Sequence, residues 1–244
     1  ILEEPFTVEE IYASCFHKVE LKEPSAKFLS VDASSYPLMR ANNWRIGTSR
    51  CAYVVVERVD GCWSISREGY EDHVFPTFGS AQQRPFHIWA KLRELESLVA
   101  AKQISCLTAG DFCLMDGAAF FGGGRKYSSK LYQACRERGI RLLMVPKNSP
   151  VLHDKMRRDL LAAISIQGSN LQKAGILGDC WAYHPIRRAR VSSKDLYGDV
   201  SCVKLSPTSS RVFRCDIMDY LLGEGGTNSM LDIVAGLAAL SRDA

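Results

Sequence analysis

The sequence predicts an α/β fold on two observations. Helix-like and strand-like segments alternate along all 244 residues, and an Asp60-Gly61 hairpin signal ties the early strand-like segments into an antiparallel set. The chain is 46% hydrophobic, enough to bury a real core, and its length suits one elaborated domain, or one domain with a lobe, better than two equal ones. No apolar run reaches the roughly 18 to 20 residues that cross a bilayer, so a soluble protein with no membrane partner is expected.

The first strand ends in the stretch Phe28-Leu29-Ser30-Val31-Asp32-Ala33-Ser34-Ser35. An apolar run there delivers a carboxylate to a cluster of small residues that leave room for a metal ion or a phosphate. An Asp that merely starts a turn would look the same locally. A second segment of this form, Phe112-Cys113-Leu114-Met115-Asp116-Gly117-Ala118-Ala119, suggests one shared site.

Before that strand, Thr7 to His17 reads as a short helix, with Thr7 as N-cap and Glu10 completing a capping box. Tyr36 to Ser49 reads as irregular, Arg50 to Val59 and Cys62 to Arg67 as a hairpin, and Glu68 to Pro85 as a loop lying across a site mouth. Pro85 suits the first turn of a helix running to about Lys102, with Ile88, Leu92, Leu95 and Val99 on one face. At 100° per residue Glu96 falls within about 40° of Leu92 on that stripe. A carboxylate so placed needs a cation beside it or a path to solvent.

After Asp116, the triple glycine 122–124 beside Arg125 and Lys126 would let backbone amides approach a phosphate, but with no GxxxxGK[ST] present it reads mainly as a hairpin tip. Ser128 to Arg138 reads as a helix, Ile140 to Val145 as a buried strand, and Pro150 to Ile166 as a helix carrying Lys155, Arg157 and Arg158 on one side. The strand-like Trp181 to Tyr183, Val200 to Leu205 and Arg211 to Cys215 extend the sheet or form a lobe, and Ser229 to Leu240 closes the chain as an apolar helix.

Nine cysteines form no CxxC pair, and several sit inside apolar runs, as expected of small core residues in a reducing cytoplasm. Structural zinc would need clustered Cys and His, and the nearest approach is Cys15 with His17. The start at Ile1, with no Met and no signal-peptide pattern, reads as trimmed. The net charge of +4 is modest, but cations crowd the middle of the chain and acids its first hundred residues. A basic face able to hold a phosphate backbone is compatible with that average, as is an ordinary solvated surface.

The order strand with Asp32, strand, strand, helix with Glu96, strand with Asp116, helix, strand, helix resembles the ribonuclease H-like fold. In detail it is similar to the NurA-domain nucleases, a family that works with the HerA helicase-translocase. Phe28 to Ser35 resembles the family's Asp-x-Ser strand, Arg93 to Ala100 its glutamate-bearing helix and Leu114 to Ala118 its Asp-Gly strand. Leu142 to Ser149 resembles the segment where a Lys commonly stands, and Val203 to Ile217 the late Lys-Leu-x-Pro to Arg-x-Asp-Ile stretch. The resemblance covers most of the chain and implies a single domain over 1–244, with a core at about 26–166 and a C-terminal extension at about 167–244.

The resemblance implies a DNA nuclease, a 5′–3′ exonuclease and single-strand endonuclease in DNA end resection and repair. Asp32, Glu96 and Asp116 would bind Mn²⁺ or Mg²⁺, because clustered carboxylates hold hard cations that activate water. Lys147 would contact the scissile phosphate, with Arg125, Lys126, Arg157 and Arg158 along the DNA, and a homodimer would dock on a hexameric HerA ring. The family's last helix usually brings a Tyr-Pro pair and then an Ala-His that completes the metal site. Thr227 to Gly236 has neither, and Asp232 is the nearest substitute ligand. That departure motivates a second reading, a catalytically inactive DNA-binding or scaffolding subunit of the same fold. A sugar- or acetate-kinase-like phosphotransferase also opens on an Asp-small-Ser strand, but it needs two similar lobes and the sequence shows no internal repeat.

Overall fold

The computed structural model describes residues 5–22, 25–80, 82–121, 126–147, 149, 151–191, 193–223 and 225–242. In chain order the strands and helices are β1 (Phe6–Val8), β2 (Phe16–Lys18), β3 (Phe28–Arg40), β4 (Trp44–Val59), β5 (Cys62–Phe78), α1 (Arg84–Gln103), β6 (Phe112–Met115) and α2 (Lys126–Arg138). They continue with β7 (Arg141–Met144), β8 (Leu152–Asp154), α3 (Leu160–Lys173), β9 (Trp181–Arg187), β10 (Gly198–Lys204), β11 (Phe213–Met218), α4 (Asp219–Leu222) and α5 (Gly226–Arg242). Nine strands form one mixed sheet in the order β2-β9-β10-β11-β7-β6-β3-β4-β5, and β1 pairs with β8 apart from it. The late strands β9, β10 and β11 therefore extend the sheet.

Both faces of the sheet are covered. On one, α1 and α2 pack Val99, Ala100, Leu131 and Cys135 against Leu29, Val31, Cys113 and Leu142. On the other, α5 packs Met230, Ile233, Val234 and Leu237 against Phe28, Phe112, Leu143 and Ile217. Alternation along β3 and β6 produces this division, since successive side chains of a strand point to opposite faces. None of the nine cysteines is in a disulfide, and Cys51, Cys113, Cys135, Cys180, Cys202 and Cys215 are buried core residues. Among the described residues, no helix is long and apolar enough to cross a membrane.

Four segments differ from the sequence expectation. Thr7 to His17 is not a helix: β1 pairs in parallel with β8, and β2 joins β9 so that Phe16 packs edge-on against Trp181 and Tyr183. Burial of that aromatic cluster outweighs the local capping pattern. Tyr36 to Ser49 and Glu68 to Pro85 are largely strand, because β3, β4 and β5 continue as a long antiparallel ribbon. Their prolines are tolerated there. Pro37 sits at a register shift where β3 pairs only with β4, and Pro76 lies on the edge strand β5. Pro150 to Ile166 divides into β8 and α3, whose N-cap Asp159 accepts from the Ala162 amide, so Lys155, Arg157 and Arg158 lie in the turn between them. The expected glycine tip and Arg125 fall outside the described residues.

The depth at which α5 seats on the sheet is set by Gly236. A Cβ there would come within 2.8 Å of the Phe112 ring, and that ring is fully buried and stacked on Phe28 at 4.5 Å. Gly236→Val should therefore destabilise the protein by about 1–3 kcal/mol through overpacking, read as a lower midpoint in urea at unchanged slope. An unchanged or raised midpoint would contradict this packing.

Candidate active site

Strands β3, β6 and β7 lie side by side and parallel, with Val31, Met115 and Met144 in one register row. The residues that follow them emerge together at the carboxyl ends of the strands, where open α/β sheets bind ligands. Asp32 continues β3, Asp116 follows β6, and Val145-Pro146-Lys147 follows β7. All three side chains line one cavity of about 390 Å³, whose far wall is Leu237, Leu240 and Ser241 of α5.

Glu96 arrives from α1, on the helical face below. Its side chain is almost fully buried, and Oε1 accepts the Ala33 amide at 3.0 Å. Oε2 stands 2.8 Å from Arg93 Nη1 without an aligned hydrogen-bond donor. Burial pushes the Glu96 carboxyl up to about 7; Arg93 and the Ala33 N–H oppose the shift, while Asp116 and Asp32 add to it. Arg93 is the tie between the acids, because its Nη1 also donates to the Asp116 carbonyl and its Nη2 lies 3.3 Å from Asp116 Oδ2. Lys147 Nζ completes the set at 3.0 Å from Asp32 Oδ2 and 3.5 Å from Asp116 Oδ2, and these carboxylates raise its pKa.

The structure therefore brings Asp32, Glu96, Asp116 and Lys147 together. Asp232 is elsewhere: it is exposed and paired with Lys22 at 2.6 Å, and it does not line the cavity. Asp232 lies on the exposed side of α5, whereas Leu237 of the same helix is buried and lines the cavity. Lys126 is exposed at the start of α2. Arg157 is exposed in the β8–α3 turn with a positive φ of 59°, and Arg158 is held by Asp154 at 2.8 Å. Neither arginine lines the cavity of Asp32 and Asp116.

Arg93 was not singled out in sequence as a site residue, although its signal was present: an Arg three residues before a Glu shares a helix face with it. A second ion pair supports the loop after Asp116. Arg214 and Asp216 of β11 are both buried and joined through Nε–Oδ1 at 2.6 Å and Nη2–Oδ2 at 2.7 Å, and Asp216 Oδ2 accepts the Ala119 amide at 2.9 Å. Its sequence mark is the Arg-x-Asp spacing, which puts both side chains on one face of a strand.

The donor set fits a divalent ion of hard character by chemistry, with carboxylates from three elements and one buried oxygen lacking a donor. As the side chains stand, Lys147 and Arg93 supply the countercharge. Among the described residues, no group of three or more His, Cys, Asp or Glu is arranged to hold an ion.

Three antiparallel strands continued by parallel ones, with acids from the first and fourth strands and from the helix between them, make this a ribonuclease H-like fold. Among solved structures, the chain is similar to the NurA nuclease from Sulfolobus solfataricus, with a TM-score of 0.57 and 13% identity over 94% of this chain and 78% of that one. Endonuclease V from Ciona intestinalis, in complex with inosine-containing DNA, matches with a TM-score of 0.47 and 13% identity over 86% of this chain and 77% of that one. A NurA structure with manganese matches 93% of this chain and 56% of its own, with a TM-score of 0.35 and 11% identity. No family model and no curated protein sequence matches. The chain has the fold of the NurA nuclease.

Two outcomes follow from the electrostatics. Glu96 binds its proton more tightly folded than unfolded, so its stabilising contribution is complete below about pH 4.5 and lost as pH rises through about 7. Without added metal, Glu96→Gln should thus gain on the order of 3 kcal/mol relative to the parent between pH 4.5 and pH 8, measured by urea unfolding at both pH values. Equal differences at the two would contradict the burial of an ionised Glu96. Asp216→Ala leaves the buried Arg214 without its bidentate carboxylate and should cost about 3–5 kcal/mol, read by the same method. A cost under about 1 kcal/mol would rule out that bracing role.

Proposed function

We propose that this protein is a metal-dependent DNA nuclease, a 5′–3′ exonuclease and single-strand endonuclease that works as a homodimer with a HerA-type hexameric helicase in DNA end resection and repair. The observation that carries the reading is the meeting of Asp32, Asp116 and Glu96 with Lys147 and Arg93 at the carboxyl ends of adjacent parallel strands. The likeness of fold to a NurA nuclease supports it, and the HerA partner and the dimer rest on the family resemblance.

Asp32, Glu96 and Asp116 would hold Mn²⁺ or Mg²⁺. A divalent ion supplies an activated water and takes up charge on the departing oxygen. Arg93 fixes the Glu96 and Asp116 carboxylates relative to each other, so little reorganisation accompanies the reaction. Lys147, largely exposed and held protonated by its carboxylate neighbours, exchanges those partners for a non-bridging oxygen of the scissile phosphate. The apolar wall from α5 limits water on the side away from Glu96.

One observation favours the second reading, an inactive DNA-binding or scaffolding subunit. Lys147 bridges Asp32 and Asp116, and α5 contributes Leu237, Leu240 and Ser241 to the cavity where the family places a His. Cleavage of linear DNA in Mn²⁺ separates the two. Under the nuclease reading Asp32→Ala and Asp116→Ala each lower the cleavage rate by at least about a hundredfold, the scale of losing about 3 kcal/mol of transition-state stabilisation. Wild-type rates in either variant would overturn it, and a parent protein that binds no Mn²⁺ in calorimetry and cuts nothing would establish the second reading.

A further inference from the structure

A second and larger cavity, about 840 Å³, opens between the β3–β4 turn and the N-terminal half of α1. Its lining includes Arg40 at the end of β3, Asn42 in the turn, Arg45 at the start of β4, and Arg84, Trp89 and Leu92 from the helix, and among the described residues it includes no acid. Arg84 Nη1 donates to the carbonyls of Ala41 at 2.8 Å and Trp44 at 3.2 Å, which pins the turn to the helix and makes the cavity a built feature. Arg45 Nε is buried there without a hydrogen-bond partner. A buried donor left unsatisfied in this way requires an explanation, and a bound acceptor is one. Trp89 remains 38% exposed, and Phe86, one turn earlier on the same helix, is 58% exposed.

The cavity is connected to the acids through α1. Leu92 borders it, and the next residue is Arg93, which holds Glu96 and Asp116. At 1.5 Å per residue the helix carries the cavity about 13 Å away from Arg93, back to Arg84. Guanidinium groups match phosphate oxygens in a planar fork, and an indole face accepts any base by stacking. A duplex keeps its bases stacked inside, so an aromatic ring at the cavity wall serves a single strand.

We propose that this cavity is a subsite for single-stranded DNA flanking the cleaved bond, with Arg40 and Arg45 on its phosphates and Trp89 stacked on a base. The proposal rests on the nuclease reading for the identity of its ligand. Arg84 is a positioning residue, since its guanidinium is engaged by the turn.

The test measures binding of a labelled 12-residue oligothymidine, and of a blunt duplex of the same length, to the full chain in EDTA, so that no cleavage intervenes. Trp89→Ala should weaken oligothymidine binding between about fivefold and 150-fold, with duplex binding changed less than about twofold. Arg40→Gln combined with Arg45→Gln should flatten the slope of log K against log salt by about 1.4, or 0.7 for each phosphate no longer neutralised. The arginine variant also keeps the proposal falsifiable should loss of Trp89 disturb the fold. Oligothymidine binding at wild-type strength and wild-type salt slope in either folded variant overturns the subsite, as does an equal loss on duplex, or a parent protein that binds no oligothymidine. A parent that binds the oligonucleotide through these residues yet cuts no DNA in Mn²⁺ overturns the nuclease reading and leaves the subsite standing.

Discussion

The parallel register of β3, β6 and β7 is the constraint on which the site depends. Val31, Met115 and Met144 share a row, so Asp32, Asp116 and Lys147 leave the sheet at one end with strands only about 4.8 Å apart. Because side chains alternate, a slip of one residue in β3 would turn Asp32 toward α1 and bring Ala33 to the cavity. The slip is resisted by packing on both faces, with Phe28 stacked on Phe112 under α5 and with Leu29 and Val31 under α1. Core packing and placement of the acids are thus one specification.

The same arrangement makes the site electrostatically expensive. Three carboxylates meet around two cations, and one carboxylate, Glu96, is removed from water. Its raised pKa records that cost, which Arg93 and the Ala33 amide offset only in part. As the side chains stand, Arg93 and Lys147 supply the countercharge to these acids. The loop after Asp116 is held from the far side by the buried Arg214–Asp216 pair through the Ala119 amide.

Legibility varied with how local the cause was. The two Asp-small-small strand ends, the helix carrying Glu96 on its apolar stripe and the Asp60-Gly61 hairpin were readable, because each is specified by neighbours within a few residues. The long extension of the β3–β5 ribbon was not, since Pro37, Gly47, Gly69 and Pro76 read locally as breakers and become tolerable only at a free edge or a register shift. The segment around Thr7 misled in the opposite sense: its capping pattern is real, but pairing with β8 and the Phe16–Trp181–Tyr183 cluster contribute more. Asp232 was placed by motif position alone, and it stands exposed on α5, paired with Lys22.

By itself the sequence determined the α/β class and the order of the core elements, because hydrophobic periodicity and turn residues act over short spans, whereas the grouping of the three acids was read through the family resemblance. Only the tertiary structure decided that β9, β10 and β11 join the same sheet, that Arg93 and Lys147 stand between the acids, and that α5 presents an apolar wall to them. It also decided that Arg40, Arg45, Arg84 and Trp89, up to 49 positions apart in the chain, line one cavity. The physical reason is that strand order, register and burial of charge depend on which surfaces meet, and a linear pattern of residues does not carry that information.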